Sequence, residues 1–194
     1  MTDLINVACM LVAVSAADIK DILYSTLDKI GKEKIRMEVI SEIEMSETCC
    51  NEILEQCKNS MDDELDEESF GNLCEALLHF MLTASLLPSE RKVSWKGSGL
   101  DVVIPSLKML SKSPEKALVI QIIKRNAELT KIKHAESVQP NNANIWIVSA
   151  RRLNVNHKNY YIDSTEFPYS RIILDINAFL VGKGHRGLKL LHGQ

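Results

Sequence analysis

The chain reads as an α/β protein, with a helical N-terminal half followed by a mixed β-sheet flanked by helices. Three observations predict this. Apolar residues recur at helical spacing up to Pro88. Beyond it they bunch into short β-branched runs, ALVIQII and IWIVSA. Those runs do not alternate with polar residues, which implies a sheet covered on both faces.

The elements follow in order. LINVACMLVAVSAA (4–17) is too short to cross a bilayer and lacks the basic flank of a signal peptide, so it is expected to be a buried helix of a cytoplasmic protein. Ser15 and Asp18 resemble a capping box. Ile19, Ile22, Leu23, Leu27 and Ile30 then form one stripe that Gly31 closes. A longer helical pattern runs from about Glu33 to Cys57. MDDELDEES (61–69) is an acidic loop whose carboxylates suit the start of the next helix, ESFGNLCEALLHFMLTASLL. That helix contains Gly71, a weak helix former, and stops at Pro88.

RKVSWKGSGLDVVIP predicts two strands around a Gly-Ser-Gly turn, with Pro105 ending the second. SLKMLSKS fits a short helix or turn, ALVIQII a strand, and RNAELTKIKHAESV a helix with Leu129 and Ile132 inward. IWIVSA (145–150) is a strand, Tyr160–Ile162 a short edge strand, and RIILDI (171–176) a last strand before a basic tail. Residues 1–88 thus read as an acidic helical region packing on the core, and 89–194 as a basic α/β region.

Charge divides along the same line. Residues 1–90 carry 6 Lys+Arg against 19 Asp+Glu, and residues 91–194 carry 17 against 7. Such a split suggests a basic face for an anionic partner, though mutual attraction of the two halves would produce it as well. No HExxH or GxSxG pattern occurs, and no GxGxxG or Walker pattern surrounds the Gly-Ser-Gly turn at 97–99, which moves metalloproteases, serine hydrolases and nucleotide-dependent enzymes out of the front rank. The five cysteines form no CxxC pair, and Cys49, Cys50, Cys57 and Cys74 follow no finger or ferredoxin spacing; small buried hydrophobes are the simpler reading. His79 stands four residues after Glu75 on one helix, a spacing that suits an acid–base pair or a core histidine.

The segment from Glu75 to Lys124 is the most informative. A helix carrying Glu75 precedes a hairpin with Asp101 on its second strand. A strand ending in Lys124, a helix and another strand follow. This order, over about residues 70–150, resembles the PD-(D/E)xK nuclease superfamily. The resemblance implies a restriction-endonuclease-like fold, Mg²⁺ held by Asp101, water activated or positioned by Lys124, and a helix-borne acid at Glu75. The family pattern puts a carboxylate two residues before the lysine. Here that position is Ile122, and Gln121 is the nearest polar residue. Side chains alternate along a strand, so Gln121 faces away from Lys124 unless a bulge intervenes. An amide is also a poor Mg²⁺ ligand.

Arg151, Arg152, Lys158 and Tyr160, with Lys183 and Arg186 in the tail, mix cations with an aromatic residue. Such a mixture suits phosphate contact and base stacking. The expectation is therefore a nucleic-acid-associated protein, binding DNA or RNA, with weak or absent phosphodiesterase activity and Mg²⁺ only if it is catalytic. The alternative is a non-catalytic scaffold meeting a protein partner or a second copy of itself. No membrane association is expected.

Overall fold

In the computed structural model, which describes residues 16–61 and 66–185, helix α1 (Ala16–Ile30) buries the expected stripe: Ile19, Leu23 and Leu27 are enclosed, with Ile22 and Ile30 partly so. Gly31, at φ +100, closes it in a backbone conformation that only glycine adopts readily. The run from Glu33 to Cys57 is two helices, α2 (Lys32–Ser41) and α3 (Met45–Asn59). They part at Glu42, which is extended (φ −145, ψ 105). Neither Gly nor Pro marks that break, so local sequence does not announce it. Each helix buries its own face, Ile35 and Val39 on α2, and Cys50, Ile53, Leu54 and Cys57 among those on α3. The segment 4–15, Cys9, the Ser15 cap, residues 62–65 of the acidic loop and the tail from Arg186 lie outside the described residues.

Helix α4 (Glu67–Ala84) starts at Asp66, whose carboxylate accepts the Ser69 N–H at 2.7 Å. It runs through the middle of the helical layer and touches α1, α2, α3, β3 and β4. The sheet has five strands in the order β1 (Glu90–Trp95), β2 (Ser98–Ile104), β3 (Leu118–Ile123), β4 (Ile145–Ser149) and β5 (Lys158–Tyr160). The first three run antiparallel, and β3, β4 and β5 run parallel. The hairpin turns at Lys96 and Gly97, both left-handed (φ 49 and 79), so Ser98 and Gly99 already belong to β2. Helix α5 (Leu107–Lys112), capped by the Ser106 hydroxyl, and helix α6 (Thr130–Val138) follow β2 and β3 respectively.

Helices cover both sides of the sheet, as the unbroken apolar runs required. Val102, Ile104, Leu118, Ile120, Ile122, Trp146 and Val148 share one core with α1 to α4. Val103, Val119, Ile123, Ile145 and Ile147 share another with α5 and α6. The period of two along β3, β4 and residues 102–104 of β2 sorts the side chains between them, whereas Leu100 joins the second core.

Two expectations are corrected here. RIILDI is not a strand: Ile172–Gly182 is helix α7. Its buried residues Ile172, Ile173, Ile176 and Leu180 make a helical stripe, and a short β-branched run read alone cannot reveal that. Leu129 is not inward but 39% exposed, because it closes a 3-10 turn (Asn126–Leu129) ahead of α6. Among the described residues no helix is long and apolar enough to cross a membrane.

Candidate functional site

The β2–β3 ladder pairs Ile104 with Leu118, Val103 with Val119 and Val102 with Ile120, and ends there. Beyond it, side chains take over from the backbone. The Asp101 N–H donates to Gln121 Oε1 at 3.1 Å. Gln121 Nε2 donates to the Gly99 carbonyl at 3.1 Å and the Lys131 carbonyl at 3.2 Å. The Ile122 N–H donates to Asp101 Oδ2 at 2.8 Å. Gln121 is fully buried, and its amide serves as an extra peptide unit between diverging strands and α6.

Asp101 meets a lysine that sequence reasoning did not select. Lys131 Nζ, on α6, lies 3.2 Å from Asp101 Oδ2 and 3.0 Å from Glu128 Oε2, and donates to the Ile122 carbonyl at 3.1 Å. Burial alone would lower the Lys131 pKa, but Asp101 and Glu128 outweigh it and raise it. Burial would likewise raise Glu128, but Lys131 and the Lys124 N–H hold it down.

Lys124 turns to the opposite layer. Its Nζ lies 2.5 Å from Glu75 Oε2 and donates to Asn72 Oδ1 at 2.6 Å, both on α4. The other Glu75 oxygen sits 3.1 Å from Lys92 Nζ. Burial pushes the Glu75 carboxyl up, yet Lys124 and Lys92 together bring it down to about 2. Asp101–Gln121 and Glu75–Lys124 are therefore two separate pairs. They are linked through Glu128, whose Oε2 accepts the Lys124 N–H at 3.3 Å as well as the Lys131 ammonium.

This donor set does not suit Mg²⁺. The carboxylates of Asp101 and Glu75 already hold lysines, and Gln121 Oε1 already accepts a backbone N–H. Among the described residues no group of three or more His, Cys, Asp or Glu could hold a metal ion. Cys49, Cys50, Cys57 and Cys74 are buried free thiols; burial and the Glu38 carboxylate push Cys49 up to about 11. His79 does not pair with Glu75. Its Nε2 is buried without a partner, and burial, reinforced by Arg91, lowers it to about 4.

The basic residues are dispersed. Arg151 is exposed but paired with Glu67 at 2.9 Å. Arg152 is exposed and lines a cleft of about 460 Å³ with Tyr161, Glu166 and Phe167. The Lys158 ammonium lies over the rings of Trp146 and Phe167, at 4.9 and 5.2 Å, and that of Lys183 over Phe179 at 5.5 Å. Tyr160 is a correction: it is fully buried and its hydroxyl donates to Asp175 at 2.7 Å, so no base can stack on it. Arg186 lies outside the described residues.

Lys92, Asn72 and Lys131 complete the cluster, and only the Glu128–Lys131 spacing of three hinted at any of them. Set against known proteins, the chain matches no family model, no curated protein and no solved structure.

Proposed function

We propose that this protein is a non-catalytic, nucleic-acid-associated module on a restriction-endonuclease-like fold. The observation that carries the non-catalytic part is that Glu75 is held by two lysines, and Asp101 by Lys131 and the Ile122 N–H. The acids that would bind a catalytic cation serve as structural ion pairs instead. The order α4, hairpin, β3, α6, β4 supports the fold assignment. Support for an anionic partner comes from Lys108, Lys112, Lys116, Lys133 and Arg152, which are exposed and form no ion pair with a described residue. The free thiols suit a reducing, cytoplasmic setting.

The test has two arms. Binding of single-stranded and duplex oligonucleotides is measured across a salt series, and affinity is expected to fall steeply with salt. Cleavage is assayed with Mg²⁺ or Mn²⁺ for wild type, Asp101→Ala and Lys124→Ala. Turnover by wild type that both substitutions abolish would restore a catalytic reading. No binding at low salt would instead favour a protein scaffold, a role for which the α2–α3 link presents exposed Glu42 and Glu44, α3 exposed Glu52 and Glu55, and α2 Met37, itself 63% exposed.

A further inference from the structure

We propose that the depression at the carboxyl ends of β3 and β4 is a phosphodiester-binding subsite, and that Glu67 and Glu68 of α4 hold it shut. The proposal rests on the nucleic-acid reading above and adds a location and a control to it. Neighbouring parallel strands end at the same edge of the sheet, so the residues that follow them come side by side. Strands β3 and β4 are parallel, and each is followed within two residues by an arginine, Arg125 after Ile123 and Arg151 after Ser149. Both arginines line one depression with Lys124, Ser149 and Glu67.

Both arginines are already engaged by carboxylates of the same chain, and one of these, Glu67, lines the depression. Glu67 Oε1 lies 2.9 Å from Arg151 Nε, and Glu68 Oε2 lies 3.6 Å from Arg125 Nη1. Arg125 also reaches Glu128 at 3.8 Å. The two α4 carboxylates stand where phosphate oxygens would stand, on the forked donors that recognise phosphate best. Their hold is weak: the side chains of both pairs are about half exposed, at 47% to 59%, and such pairs add little to stability. An incoming phosphodiester can therefore displace them, but must compete to do so.

The competition has a measurable signature. An arginine already neutralised by a carboxylate releases fewer counterions when it meets DNA, so the wild-type salt slope is shallow for its number of cations. Anisotropy of fluorescein-labelled oligo(dT) is titrated with the full chain across a salt series. The Glu67→Gln, Glu68→Gln variant is expected to bind about threefold or more tightly at low salt, with a log–log slope steeper by about one to two. Adding Arg151→Ala to that variant is expected to remove most of the gain. A control with the same charge change, Asp21→Asn with Glu55→Gln on α1 and α3, separates local release from general charge. Those two carboxylates are exposed and make no ion pair with a described residue.

If wild type binds and the glutamine variant matches it, or the control gains equally, the subsite proposal is overturned while the nucleic-acid reading stands. If no variant binds at the lowest salt, both fall. Circular dichroism of each variant confirms that its fold is intact.

Discussion

Lys124 Nζ lies 2.5 Å from Glu75 Oε2, so the end of β3 is tied to the middle of α4 across the sheet–helix interface. With Lys92 on its other oxygen, Glu75 is only 13% exposed, and its carboxyl is held at about 2 against an ordinary 4.5. A depressed acid stabilises the fold above its unfolded pKa and loses that contribution as pH falls through the folded one. Glu75→Gln is expected to lose up to about 3 kcal/mol near neutral pH. The gap from wild type should close between about pH 4.5 and pH 2, where the native carboxyl becomes neutral like the amide. Urea unfolding across that range checks it, and parallel curves would sink the argument.

Gly71 is the reason the lysine fits. A Cβ at this position would stand 2.8 Å from Lys124 Cγ and 3.2 Å from its Cα. Helix propensity alone favours alanine by about 1 kcal/mol. The 2.8 Å approach forces the Lys124 side chain to shift while its ammonium is anchored on Glu75 and Asn72, so Gly71→Ala is expected to destabilise by about 1–3 kcal/mol. A rise in melting temperature would show that α4 can shift away from β3 at no cost.

His79 gives a second pH window. Its pKa is lowered from 6.5 to about 4, first by burial and then by Arg91, against the opposing pull of Glu75. The unfolded chain binds this proton more readily, so stability is full above about pH 6.5 and falls as pH drops towards 4. In His79→Leu the loss over that interval should be smaller than in wild type. An unchanged profile would mean that another group dominates it.

Gln121→Leu isolates the strand divergence. The substitution keeps the volume but removes the partner of the Asp101 N–H and the Gly99 carbonyl and cuts the bond to the Lys131 carbonyl of α6. A loss of about 2–4 kcal/mol is expected, with faster hydrogen exchange at the Asp101 and Ile122 amides. Gln121→Glu should also destabilise, since a carboxylate cannot donate to those carbonyls.

Much of this architecture follows from local pattern. The α1 stripe, the hairpin, the buried strands and the cover on both faces all come from apolar spacing acting over a few residues. The departures occur where that spacing is ambiguous or silent. Glu42 breaks a helix without glycine or proline, and RIILDI is too short for its period to show. Tyr160 looked like an exposed aromatic beside cations, yet packs between Trp146 and Phe167.

At the candidate site, sequence spacing did send Gln121 and Lys124 to opposite sides, and the structure does the same, Gln121 on β3 bonded to α6 and Lys124, just past its end, bonded to α4. Which charge meets which was beyond it. Lys131 is 30 residues from Asp101, and Lys124 pairs with Glu75 across a different helix layer. Periodicity along a chain decides which way a side chain points, because that is a property of the backbone. The partner waiting there depends on how closely a helix approaches a strand, and here a missing methyl group on Gly71 sets that distance.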